Sequence, residues 1–344
     1  MERLRIGIVG AVGHAEKFIR LINSYPESQV VVYCGREGVA AEIARRQRLP
    51  LEPDFDRMLW EYRLDGVVIT VPNAEKKKLV IAAARAGVAI FLEKPLAVCR
   101  EDALEMQRAV QEAGVKFYMS DPFVRPGILK LKEEIQNGKL GRIVGANIRH
   151  ASDRALREVA LPHIYCKSLS GGGIMADVGG HPLHILQYLF GQPETVCSSL
   201  YADTPMAIAN GIEENASVLL RYRNGITVTL EASWISGGDS SHTAVYGTDG
   251  WAEVVDCPGQ EGSQQLTVHG SDGTAQVYTA DDMPPMPTKH VHYFLKMILE
   301  DLPNDIVGHV PESCCGVSID GAVQLACIID AVYRRNNCGF VAVE

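Results

Sequence analysis

Within the first 120 residues, short apolar runs alternate with stretches of helical periodicity, and this alternation limits the folds open to the chain more than any other feature. The runs 5–10 (RIGIVG), 30–34 (VVVYC), 66–71 (GVVITV), 88–92 (VAIFL) and 116–119 (KFYM) are of strand length and rich in β-branched or aromatic residues. Between them Ala15, Phe18, Leu21 and Ile22 follow helical spacing, and further helices are expected over 39–46, from the third run to about 86, and up to 111. Strands this apolar are buried on both faces, which a parallel sheet covered by helices on both sides provides. The expected fold is therefore α/β, with a doubly wound (Rossmann) dinucleotide-binding domain over 1–121.

The turn after the first run departs from the usual G-x-G-x-x-G/A fingerprint, reading Gly10-Ala11-Val12-Gly13-His14-Ala15. Val12 stands where a second glycine lets backbone approach the pyrophosphate, so the phosphates are pushed outward or that task passes to Gly13, beside His14. After the second run the chain has Gly35-Arg36 in place of an acidic ribose ligand. Losing the carboxylate and gaining a guanidinium favours a 2′-phosphate, so the cofactor is NAD or NADP with a lean to NADP. A solvated Arg36, or a site that has lost its cofactor, are the alternatives. Val71, Pro72 and Asn73 follow one strand, and Glu93, Lys94 and Pro95 the next; ligands bind at such carboxyl ends in open parallel sheets. A lysine stiffened by a following proline can reach both a nicotinamide ribose and a substrate hydroxyl there. The run Lys76-Lys77-Lys78 reads as a solvated helix start.

A second domain, 122–344, is expected to be α+β. Its opening helix spans 125–137 and its first strand 142–149, and hairpins turn at Asn224-Gly225, Asp249-Gly250 and Asp272-Gly273. Together these predict an open, mostly antiparallel sheet with helices on one face and Thr227, Thr229 and Trp234 on the other. The polar stretch 151–170 reads as a loop over the active site, with His163, Tyr165 and Lys167 as possible substrate contacts. Prolines at 284, 285 and 287 mark a linker, His290 and His292 read as surface residues of a helix over 291–299, and Ser318 can cap a final helix over 320–335.

The stretch 171–184, GGGIMADVGGHPLH, carries the strongest candidate chemistry. If helical, it puts Asp177, His181 and His184 at i, i+4 and i+7 on one face, where a carboxylate and an imidazole can move a proton near neutral pH. The glycine triplet lets backbone approach a ligand, and Pro182 threatens to kink the helix. A shared metal ion is disfavoured, because a rise of 1.5 Å per residue spreads these side chains over about 10 Å of axis.

A net charge of −9 and a pI near 5.6 speak against nucleic acid or an anionic membrane as partner. Nine cysteines, an odd number without a C-x-x-C pair, fit a reducing, cytoplasmic setting.

The start, TVPN, EKP and the GGG-x3-D-x3-H run together resemble the Gfo/Idh/MocA family of oxidoreductases over essentially the whole chain. The resemblance implies that Lys94, Asp177 and His181 serve as catalytic lysine, aspartate and histidine, brought together around a nicotinamide and a sugar, cyclitol or related polyol. It also implies a homodimer or homotetramer built on the open sheet; Tyr165 and His184 are further candidates for substrate contact. The chain departs from the family pattern at Lys76, usually a histidine, at Asp121-Pro122, often a basic pair before Phe123, and at His184, usually an aspartate. Two other functions stay open: a redox-neutral NAD-dependent glycosidase or eliminase, and a non-catalytic dinucleotide-binding regulator.

Overall fold

The computed structural model describes residues 2–10, 15–36, 38–156, 164–257, 263–285, 290–304 and 316–336. The alternating runs assemble as β1 (Leu4–Val9), α1 (Ala15–Asn23), β2 (Ser28–Cys34), α2 (Val39–Gln47), β3 (Leu51–Glu52), α3 (Phe55–Glu61), β4 (Gly66–Ile69), α4 (Asn73–Arg85), β5 (Ala89–Glu93), α5 (Arg100–Ala113) and β6 (Phe117–Ser120). These strands lie parallel in the order β3-β2-β1-β4-β5-β6. Every residue of β4 and β6 is buried, as a sheet covered on both faces requires. The chain runs outward from β1 through β3 and then returns to β1's other side, so the ends of β1 and β4 flank the point where strand order reverses. The short α3, missed in the sequence, starts at Asp54, whose carboxylate accepts from the Arg57 amide at 2.8 Å.

After α6 (Pro126–Gln136) and β7 (Ile143–Ala151) come three helices: α7 (Lys167–Ser170), α8 (Ile174–Asp177) and α9 (Gly180–Phe190). Next are β8 (Thr195–Tyr201), α10 (Pro205–Asn210), β9 (Asn215–Arg221), β10 (Thr227–Ser233), β11 (Ser240–Gly247), β12 (Gly250–Asp256), β13 (Gln264–Gly270) and β14 (Ala275–Tyr278). The second sheet has the order β14-β13-β12-β11-β7-β10-β9-β8, antiparallel throughout except between β7 and β10. Val218, Leu220, Val228, Leu230 and Ile148 point into the core. On the opposite face Leu219 is exposed, Thr229 donates to the Asn147 amide oxygen at 2.6 Å, and Arg149 pairs with Glu231 at 2.5 Å. Trp234, expected on that face, is buried instead: it lies just past β10, with its ring beside Tyr165. No helix among the described residues is long and apolar enough to cross a membrane.

The chain ends with α11 (His290–Leu299), β15 (Gly316–Val317) and α12 (Ile319–Arg334), the last capped by the Ser318 hydroxyl accepting from the Gly321 amide at 3.2 Å. Packing divides the chain into one unit of 1–122 with 288–326 and another of 123–287 with 327–344. Against the expected second domain of 122–344, the described residues of 288–326 pack with the parallel sheet. The reason is apolar burial. Val291, Phe294, Leu295 and Met297 enter the same core as Phe18, Phe91 and Tyr118, and β15 pairs antiparallel with β6. His290 is likewise no surface residue: its Nδ1 pairs with the Ser120 hydroxyl and its ring packs against Phe18 and Phe91.

Phe294 is fully buried and meets Phe91 edge-on at 5.6 Å. Phe294→Ala is expected to lower the unfolding free energy by roughly 3–5 kcal/mol in a urea titration, the usual cost of emptying an aromatic core site. A loss within error of zero would show that α11 adds nothing to the first unit's core.

Candidate active site

In the first unit, the ends of β1, β2 and β4 open onto a cavity of about 920 Å³ lined by Gly10, Gly35, Arg36, Val71, Pro72 and Lys78, among others. Gly10 has φ +126°, and a Cβ there would lie 2.5 Å from both the carbonyl and the hydroxyl oxygen of Thr70. No other residue fits this bend, so the first fingerprint glycine is fixed by the fold. The Tyr33 hydroxyl donates to the Gly10 carbonyl, and burial above all pushes this phenol up to about 12, so it remains a donor. Gly35 is glycine for a packing reason, since a Cβ would meet that of Ala40 at 2.5 Å. Arg36 is exposed at the cavity. A tight β1 turn, a cavity at the switch point and a guanidinium at its rim fit a dinucleotide. Val12, Gly13 and His14 lie outside the described residues.

Asn73 opens α4, directly after Pro72. Three residues on, Lys76 corrects the sequence reading: it is not solvated but 1% exposed, and its ammonium donates to the carbonyls of Glu93 and Pro95, each at 2.7 Å. A buried ammonium thus grips the backbone on both sides of half-buried Lys94. Lys77, by contrast, pairs outward with Asp102 and Glu105.

In the second unit, Asp177, His181 and His184 do not share one helix. Asp177 ends α8, the chain turns at Val178-Gly179, and His181 is the second residue of α9. Pro182 therefore sits in the first turn of α9, where its missing N–H has no helical partner to lose, and no kink follows. His181 is 4% exposed, with its ring stacked 3.8 Å from that of Phe123, whose ring also has the Arg125 guanidinium 4.8 Å from its centre. His150 lies 5.9 Å from His181, ring to ring. His184 is buried further along α9.

The glycine triplet approaches protein, not ligand. At Gly172 a Cβ would lie 2.0 Å from the Tyr333 hydroxyl, and at Gly173 2.0 Å from the Glu213 carbonyl. Glu213, which nothing in the sequence singled out, accepts from the amides of Gly173 at 3.0 Å and Met175 at 3.1 Å, and from the Tyr333 hydroxyl at 2.7 Å. Burial, and then the Glu213 carboxylate, hold the Tyr333 phenol far above its ordinary range, so it stays a donor. This network fixes the turn that aims Asp177. The Asp177 carboxylate is paired with Arg154 at 2.9 Å, a residue the sequence reading passed over because it lies in an irregular polar stretch without periodicity. Tyr165, expected near substrate, spends its hydroxyl on buried Glu214 at 3.2 Å, and burial first, then Glu214, pushes its phenol up to about 12. Lys167 is exposed at the start of α7, and His163 lies outside the described residues.

Residues 4–120 match the family described as an oxidoreductase family with an NAD-binding Rossmann fold, and 128–253 match the GFO/IDH/MocA C-terminal domain. Levoglucosan dehydrogenase of Pseudarthrobacter phenanthrenivorans is 25% identical over 285 residues, spanning 73% of each chain. A levoglucosan dehydrogenase solved with NADH and levoglucosan superposes with a TM-score of 0.78 at 22% identity, covering 97% of both chains. A 3-ketoreductase from Actinomadura kijaniata solved with NADP gives 0.80 at 18% identity, covering 97% of this chain and 98% of that one.

The glycines make opposite predictions. Gly172→Ala drives a methyl into Tyr333 and should destabilise by roughly 1–3 kcal/mol, whereas Gly180→Ala, with nothing within 4 Å of its Cβ, should be neutral or stabilising by up to about 1 kcal/mol. Chemical denaturation of both variants checks this, and equal effects would contradict the clamp.

Proposed function

The chain belongs to the GFO/IDH/MocA family of oxidoreductases, and from that premise we propose that it is an NAD(P)-dependent dehydrogenase of a sugar, cyclitol or related polyol. The observation that carries this reading is that Lys94, Asp177 and His181 match the EKP and GGG-x3-D-x3-H motifs in sequence, with Lys94 in a turn gripped by buried Lys76 and Asp177 at the end of a segment clamped by Glu213.

In this proposal His181 accepts the proton of the substrate hydroxyl through an imidazole whose plane is set by Phe123. Asp177, paired with Arg154, receives substrate hydrogen bonds and orients the sugar. Lys94 holds the reacting oxygen and stabilises the negative charge that grows on it. Gly10, Arg36, Val71 and Pro72 hold the nicotinamide dinucleotide, which when bound supplies the hydride-accepting ring. Arg36 and Lys78 on the cavity wall favour a 2′-phosphate, with Asp56 and Glu75 on the same wall opposing it, so the proposed preference is NADP. His184 is proposed to shape the site from within α9, while Tyr165 supports it through Glu214. The open sheet face with exposed Leu219 and Val277 is the proposed surface for a homodimer or homotetramer.

His181→Ala should lower turnover by ~10²–10⁴-fold with dinucleotide affinity nearly unchanged, as for a lost general base. Full activity in that variant would remove His181 from the chemistry. Steady substrate loss without net cofactor reduction would point to the redox-neutral glycosidase or eliminase. Fluorescence titrations test the cofactor: Arg36→Ala should weaken NADPH about 10–100-fold while sparing NADH, the range for a charge-assisted bond to phosphate. Tight wild-type binding of neither would favour a site that has lost its cofactor.

A further inference from the structure

Resting on the dehydrogenase reading, we propose that Arg154 is a specificity-determining residue that donates to a substrate oxygen other than the one oxidised. Its guanidinium meets Asp177 through a single contact, Nη1 to Oδ2 at 2.9 Å. A guanidinium carries five N–H donors in a planar fork, and among the described residues Arg154 has no other hydrogen-bond partner. The pair is only partly covered, with Arg154 31% and Asp177 17% exposed. The fork therefore retains donors on a cation held next to the carboxylate proposed to orient substrate.

The backbone around Arg154 is built to hold that position. The Ser152 amide donates to the Ser233 carbonyl at 2.8 Å, the Ala155 amide to the Trp234 carbonyl at 3.0 Å, and the Ser236 amide to the Ser152 carbonyl at 3.0 Å. The turn after β7 is thus stitched to the end of β10 on both sides of the arginine. A bare donor edge beside an acceptor matches a hydroxyl, which can accept from Arg154 and donate to Asp177 together. A carboxylate substituent would instead take two parallel bonds from the fork. Both chemistries offer Arg154 an oxygen acceptor, and the experiment separates them. A site built to hydrogen-bond a substrate oxygen also discriminates strongly against analogues that lack it.

The test compares wild type, Arg154→Met and Arg154→Lys on D-glucose, D-galactose, myo-inositol, their deoxy counterparts, D-gluconate and D-glucuronate, with both cofactors. For the best wild-type substrate, Arg154→Met should lower kcat/KM about 10–100-fold, the range for a charge-assisted bond, with NADH or NADPH affinity and thermal midpoint unchanged. Arg154→Lys should recover part of the loss. One deoxy counterpart should already be poor with wild type and drop no further in Arg154→Met, identifying the bonded hydroxyl. A loss concentrated on gluconate or glucuronate identifies a carboxylate instead. An equal loss on every substrate, or none on any, overturns the proposal while leaving the dehydrogenase reading standing. Wild type that turns over no member of the panel overturns that reading and this one with it.

Discussion

In each unit the segment carrying a candidate residue is held by a buried charge that takes backbone hydrogen bonds. Lys76 places its ammonium against the carbonyls of Glu93 and Pro95, and Glu213 places its carboxylate against the amides of Gly173 and Met175. Taking an ion out of water is unfavourable by several kcal/mol unless protein dipoles replace the lost hydration. The segments carrying Lys94 and Asp177 therefore cannot drift without leaving a charge short of partners. A flexible side chain on a loop would lose most of its catalytic value to such drift, since about 1 Å of misplacement can cost a hundredfold in rate.

Close packing of backbone on backbone is the second constraint, and it accounts for glycines that a motif search would assign to ligand. Gly10 bends against Thr70 at the sheet's switch point, which serves a dinucleotide only because the fold first requires it. Gly172 and Gly173 make room for Tyr333 and Glu213, so their contribution to the site is indirect: they admit the clamp that sets Asp177. The glycine triplet is in this chain a packing motif.

The parallel sheet was legible because strands buried on both faces leave unbroken apolar runs such as GVVITV. The helix α11 was legible too, but not its unit: a helical stripe says that one face is buried, not against which sheet. The single helix expected through Asp177, His181 and His184 failed at Val178-Gly179, where two short helices give the same spacing a different geometry. Lys76 was invisible for a deeper reason. In a run of three lysines nothing local distinguishes the one that turns inward, because its partners, the Glu93 and Pro95 carbonyls, lie on the next strand's turn. Glu213 and Arg154 share that problem, their partners being distant in sequence.

The absent ribose carboxylate looks different once packing is considered. A side chain at position 35 would collide with Ala40 at the start of α2, so restoring an aspartate there requires that helix to shift. Discrimination between the two dinucleotides cannot then rest on the residue that usually provides it. On the reading proposed above it would fall to charges one step further out, Arg36 and Lys78 against Asp56 and Glu75, all lining the same cavity. Charges at such a rim act through partly screened fields and charge-assisted bonds, which grade affinity without excluding either cofactor. On that proposal the preference is a balance of surface charges, which a single substitution would shift without disturbing the core that shapes the cavity.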